Sequence, residues 1–230
     1  LGFNRQTGLP ILFDNFSQTH TNYNIVIFGK SGDRKVVTIK TLTARSSVLM
    51  GIESLALDAE GEYGVVAEAL GGINVTISPN SKTIINLFDV EIETFKDEIT
   101  GKERKMLSIE NKVEDVTQAL LTMARGSTRS QEVNELTKQI IAEAIAEEYT
   151  RSGITNDVNS LYKNPNDKIK IKKDMPTIGS WYKRILENAE KNNNPDYRFH
   201  YSYLIKVMKQ YIREYDGQMA YFDGQSTFDL

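Results

Sequence analysis

Hydrophobic and polar positions follow two regimes along the chain. From Ile11 to about Val90, short apolar runs are separated by segments with helical spacing, and from about Ile109 to Tyr215 the spacing is helical almost throughout. In the first regime Asn24–Phe28, Ser54–Leu57 and Asn74–Ile77 have the length and composition of buried strands. A helix is predicted from about Lys35 to Met50, closed by Gly51, and a second from about Tyr63 to Leu70, ending at Gly71-Gly72. Glycine accepts the left-handed backbone with which many helices end. Strand, loop, helix and strand in this order predict an α/β unit with a mainly parallel sheet.

In the second regime Val133, Leu136, Ile140, Ile141, Ala144, Ile145 and Tyr149 fall on one face of an amphipathic helix. Val113, Val116, Leu120 and Met123 mark an earlier helix. Trp181, Tyr182, Ile185, Leu186 and Ala189 mark a third, starting near Pro176, and Leu204, Val207, Met208, Tyr211 and Ile212 a fourth. Between the regimes the charged segment Thr94–Lys105 predicts a hairpin or loop around Gly101, and Asn192–Asn194 with Pro195 predicts a turn between helices. The expected organisation is an α/β core over 1–108, an all-α domain over 109–216, and a return to the core over 217–230.

Asn156–Asp174 is polar, and its Lys168, Lys170, Lys172 and Lys173 alternate with Ile169 and Ile171. Two readings stand open. The lysines can protect an edge or loop from pairing with other chains, or, with Tyr162, Trp181 and Tyr182 nearby, they can contact DNA.

Composition narrows the chemistry. The chain has 230 residues, 40% of them hydrophobic, and a net charge of −3, so a nucleic-acid surface has to be argued locally. There is no cysteine, which removes disulfides and thiolate metal sites. His20 and His200 stand far apart and are expected at a surface or interface. No apolar run reaches the roughly 18 residues of a membrane span. The chain opens without Met and stops soon after YFDGQST, which leads to the expectation of a fragment of something longer.

The candidate chemistry lies in Asn24–Val36, NIVIFGKSGDRKV. A phosphate-binding loop between a strand and a helix reads G-x-x-x-x-G-K-[ST]. Here Gly29, Lys30, Ser31, Gly32, Asp33, Arg34, Lys35 and Val36 occupy those positions, with the first glycine and the lysine kept. Such a loop works because backbone N–H groups at a helix N-terminus converge on phosphate oxygens. Arg34 stands where a glycine is expected, at a cost of roughly 1–2 kcal/mol if the turn needs a positive φ. Val36 replaces the hydroxyl that binds magnesium and has no oxygen to offer. Asp33 can accept hydrogen bonds from the amides that would otherwise meet phosphate, so the loop can be capped by its own side chain. The plain alternative is a charged turn into a helix.

Four stretches, NIVIFGKSGDRK, LALDAEGEY, EALGGINVTISPNSKTIINLFDV and YFDGQST, occur in this order over nearly the whole chain. Together they resemble the cytoplasmic ATPases of conjugation and type IV secretion systems, the VirB-four class. That resemblance implies a partial RecA-like P-loop NTPase core interrupted by an all-α domain, with ATP and Mg2+ as cofactors. It also implies assembly with other secretion-system subunits, commonly as homo-hexamers, and a place at the cytoplasmic face of the inner membrane. Asp58, Glu60 and Glu62 match the family's D-P-E-x-E-Y segment, with Ala59 in place of the proline. The resemblance gives Glu62 a catalytic role and Asp58 a place behind the magnesium ion. The alternative for this segment is a strand-end turn with solvated carboxylates. The family's Walker B strand is expected beyond the end of this chain, so the resemblance implies impaired hydrolysis, or a non-catalytic assembly subunit.

Overall fold

A computed structural model describes residues 2–11, 17, 21–30, 34–78, 82–96, 101–126 and 134–228. The chain divides into two compact units, Leu1–Asn74 and Val75–Leu230.

In the first unit a small antiparallel ladder pairs β1 (Gly2–Phe3) with β2 (Pro10–Ile11). Helix α1 (Lys35–Met50) follows the candidate loop and ends as the sequence predicts, at Gly51 with φ 64°. There the Gly51 N–H closes the last turn on Ser46 and Ser47 carbonyls. Much of α1 is β-branched, and Thr38 and Thr41 return their hydroxyls to the carbonyls of Arg34 and Val37. These are weak helix formers, and no residue of α1 is buried among the described residues. The short helix α2 (Gly64–Ala69) ends at Leu70 and Gly71, the latter at φ 77°.

Asn24–Phe28, Ser54–Leu57 and Asn74–Ile77 do not enter any ladder among the described residues, so the expected parallel sheet is absent there. The physical reason is visible in their side chains: Phe28 is 90% exposed, Leu55 89% and Leu57 98%. A parallel strand is stable only with both faces covered, and no layer covers these segments among the described residues.

The second unit contains the buried core. A charged antiparallel hairpin, β3 (Glu93–Lys96) with β4 (Glu103–Met106), turns around Gly101 as the sequence predicts. Four helices follow: α3 (Ile109–Arg125), α4 (Glu135–Arg151), α5 (Ile178–Lys191) and α6 (Pro195–Met208). The starts of α4, α5 and α6 are encoded locally. Asn134 and Thr137 form a reciprocal capping box at α4, Thr177 and Ser180 another at α5, and Asn194 accepts from Asp196 N–H ahead of Pro195 at α6. The apolar faces meet around fully buried Trp181, Leu120, Ile140, Ile145, Ile185 and Leu204. Burial on this scale contributes roughly 1.5–3 kcal/mol per large aliphatic side chain.

Buried polar groups fix the register of this core. Tyr149 Oη donates to the Phe88 carbonyl at 2.8 Å, Tyr182 Oη to Ile205 at 2.9 Å, and Tyr203 Oη to Ala124 at 2.9 Å. His200, expected at a surface or interface, is buried within the helical unit, with Nδ1 2.9 Å from the Thr137 hydroxyl. The hydroxyl gives the imidazole the partner that makes burial affordable. His20 lies outside the described residues.

The segment 84–88 is tied to 221–227. Ile85 N–H donates to Tyr221 O, Asn86 N–H to the Ser226 hydroxyl, and Thr227 N–H to Ile84 O. Asp223 accepts from Gly179 N–H at 2.9 Å and Arg213 N–H at 2.8 Å. A Cβ on Gly179 would lie 2.5 Å from the Asp223 carboxylate, so a side chain there would displace the carboxylate from these bonds.

Candidate phosphate-binding loop

The loop residues Gly29 and Lys30 precede α1, and Arg34 is the residue from which the helix starts. Ser31, Gly32 and Asp33 lie outside the described residues. Arg34 has φ 57° and ψ 28°, the left-handed conformation, at the position where the motif carries its second glycine. A side chain there costs roughly 1–2 kcal/mol relative to glycine. Lys35 is the first residue of α1, and its Nζ donates to the Gly29 carbonyl at 2.6 Å. The ammonium therefore reaches back to the residue that opens the motif. An ammonium has three donors, so this bond uses one of them.

Val36 lies in the first turn of α1, which contains no acidic residue, and the Arg34 side chain does not cap it. The helix dipole at this end is thus not offset by a carboxylate within α1. Val36 supplies only methyl groups, so the magnesium position of the motif does not fit the ion.

The acidic segment forms its own local structure. Asp58 Oδ1 accepts from Gly61 N–H at 3.0 Å and Glu60 N–H at 3.3 Å, and Oδ2 accepts from Tyr63 N–H at 2.7 Å. These amides, Tyr63 first, hold its carboxyl below the usual carboxylate range. Asp58 thereby organises the turn that delivers the chain into α2. Glu60 and Glu62 are exposed. Among the described residues Lys35 and Asp58 each have their own backbone partners, and no salt bridge joins them. What links this turn to α1 is Lys40, whose Nζ lies 5.5 Å from the centre of the Tyr63 ring. Lys40 belongs to no motif of the sequence and stands five residues after Lys35 along the same helix.

A second concave region, about 390 Å³, lies in the helical unit beside Glu148, Lys183, Arg184, Glu214 and Asp223. Its charges are spent on one another. Glu148, nearly inaccessible, accepts from Arg184 Nε at 3.2 Å and Arg151 Nη2 at 3.1 Å, while Lys183 pairs with Glu214 at 2.8 Å. Glu148 was missed in the sequence, though its spacing after Ala144 and Ile145 puts it on the apolar face of α4. Among the described residues no group of three metal-ligating side chains occurs, and no helix is long and apolar enough to cross a membrane.

No family model matches the chain, and no curated protein matches it. Its fold is similar to the solved structure of VirB4 of Thermoanaerobacter pseudethanolicus, with a TM-score of 0.66 and 23% sequence identity. The match covers 100% of this chain and 53% of that one, so the chain spans about half the length of the VirB4 structure. The fold is VirB4-like, a mixture of helices and short antiparallel ladders.

Proposed function

We propose that this chain is part of the motor region of a type IV secretion or conjugation ATPase, with Gly29–Val36 as an altered phosphate-binding loop. The observation that carries the reading is the Lys35–Gly29 bond across a loop that opens α1, in a chain whose fold is VirB4-like. Gly29, Lys30 and Lys35, with the first amides of α1, would hold the phosphates of ATP, the nucleotide supplying the phosphoryl bond whose cleavage powers transfer in a working motor. The lysine contributes charge, and the helix end contributes oriented N–H groups. Magnesium lacks its hydroxyl ligand at Val36, so hydrolysis is impaired while phosphate contact survives. Asp58, held by its turn, and Glu62 are the acidic residues that would stand near a metal or an attacking water in an unaltered relative.

The exposed apolar segments support the same reading. Phe28, Leu55 and Leu57 belong to runs with the composition of inner strands, which fits a partial RecA-like core interrupted by an all-α domain. The domains proposed remain 1–108, 109–216 and 217–230. Other secretion-system subunits, including further copies of the same chain in a hexamer at the inner face of the membrane, are the partners this reading implies.

A second reading is a non-catalytic assembly subunit with a decayed nucleotide site, and Arg34 at φ 57° beside Val36 favours it at the site itself. Calorimetric titration of the chain with ATP separates the two. Heat that disappears in Lys35→Ala supports the phosphate site, and no heat in either protein supports the assembly subunit.

A further inference from the structure

The helical unit carries an exposed aromatic knob and an open groove whose charges match. On α6, Phe199 is 53% exposed, and Arg198, Ser202 and Lys206 are exposed around it. Phe199, Ser202 and Lys206 follow the i, i+3, i+7 spacing of one helix face. The Arg198 and Lys206 side chains have no ion-pair or hydrogen-bond partner among the described residues. Between α4 and α5 runs a groove of about 630 Å³. The exposed Ala146 and Thr150 line it, with Glu143 and Glu147 on the same strip of α4. Glu143 accepts from the Gln139 amide at 2.7 Å and Glu147 from the Asn188 amide at 3.1 Å, so both carboxylates keep acceptor capacity. The arginines of the groove, Arg151 and Arg184, donate to buried Glu148, and Lys191 stands at the end of α5.

We propose that the α4–α5 groove receives α6 of a second copy of this chain, with Phe199 against Ala146 and Thr150, and Arg198 and Lys206 meeting Glu143 and Glu147. The match holds for both signs of charge, since Asp196 in the first turn of α6 is the counterpart of Lys191. One aromatic anchor beside an arginine, with charges around it, is the usual anatomy of a protein contact, whereas single-stranded nucleic acid uses a succession of aromatic platforms. A copy does not fill its own groove. The Tyr201 phenol is pushed up first by burial and further by the nearby Glu143 and Glu147 charges, so α6 turns its Tyr201 side toward α4. Phe199, two residues earlier, points about 200° around the helix from Tyr201. Knob and groove are therefore different surfaces, and the contact is head to tail, the kind that builds rings or open chains. It rests on the assembly of copies proposed above and names its surfaces, and it does not involve the loop at Gly29–Val36.

The test is sedimentation velocity of the chain over a wide range of concentrations. The natural chain is expected to associate, less so as salt rises. Phe199→Ala should weaken association by about tenfold or more. Arg198→Glu and Glu143→Arg should each weaken it comparably, because each sets like charges against one another. Mixing the two charge variants should restore association, since the altered knob of one then fits the altered groove of the other. All three positions are exposed, and an unchanged circular dichroism spectrum confirms that each variant is folded. A natural chain that stays monomeric, whether or not an oligonucleotide or an anionic vesicle binds Arg198 and Phe199, overturns the proposal. So does association that the three variants retain, or a mixture of the charge variants that stays monomeric. ATP titration of the same samples is a separate reading, so a monomer that binds ATP sinks this contact and leaves the phosphate site standing.

Discussion

Lys35 Nζ donates to the carbonyl of Gly29, six residues earlier, at 2.6 Å. The two residues are the positions of the G-x-x-x-x-G-K pattern that this chain keeps, and the bond between them joins the first of these positions to the start of α1. The altered positions, Arg34 and Val36, lie on either side of the lysine. Relative to that pattern, the chain keeps the charge of the lysine and lacks a glycine at 34 and a hydroxyl at 36.

Arg34 pays for a left-handed backbone at φ 57°. Arg34→Gly is expected to stabilise the first unit by about 1 kcal/mol, read as a higher midpoint in urea unfolding followed at that unit. Asp33→Ser, Arg34→Gly and Val36→Ser together are expected to raise ATP affinity, because the combination removes both the proposed self-cap and the strain. Unchanged affinity in the triple variant would remove the self-capping proposal.

Glu148 is buried between Arg184, which is mostly buried, and Arg151, which is mostly exposed. Arg184→Ala leaves a buried carboxylate short of its main partner and should cost about 3 kcal/mol or more. Arg151→Ala removes an exposed partner and should cost less than about 1 kcal/mol. Thermal unfolding of the two variants measures the difference directly, and similar losses would show that the two arginines share the carboxylate equally.

The helices of the second unit were legible because their signals are local. The apolar stripe from Leu136 to Tyr149 and the turn at Asn192–Pro195 act within one or two turns, and the caps at Asn134 and Thr177 found in the structure reinforce them. Gly51 and Gly101 marked their turns for the same reason. The strands were not legible in this way. Asn24–Phe28 and Ser54–Leu57 have strand composition, yet a parallel strand exists only through neighbours distant in sequence, and among the described residues none pairs with them. His200 and Glu148 illustrate another limit: each is buried against a partner, Thr137 or Arg184, that no local spacing identifies. At the candidate site the motif positions could be read, but the role of Asp58 as the organiser of its own turn depended on backbone amides that the sequence does not display.

Burial, with the nearby Asp89 charge as the lesser cause, pushes the Tyr149 phenol well above its ordinary value. The folded state thus favours the neutral phenol, so this contribution is complete below the unfolded value of about 10 and declines as pH rises above it. Tyr149→Phe is expected to cost about 1–3 kcal/mol at neutral pH, because the buried Phe88 carbonyl loses its donor. The variant should also show a shallower loss of stability in alkaline solution. Denaturant titrations at neutral and alkaline pH test both parts, and an unchanged alkaline slope would mean that the other buried tyrosines dominate it.

The proposed loop at Gly29–Val36 would hold phosphate through Lys35 without a metal ligand at Val36. The most direct test is the dissociation constant for ATP, measured calorimetrically with excess magnesium and again with the metal chelated, in the natural chain and in Val36→Ser. The expected result is binding of equal strength with and without magnesium in the natural chain, and binding strengthened by magnesium in Val36→Ser. Natural-chain binding that requires magnesium, or no ATP binding under either condition, would contradict it.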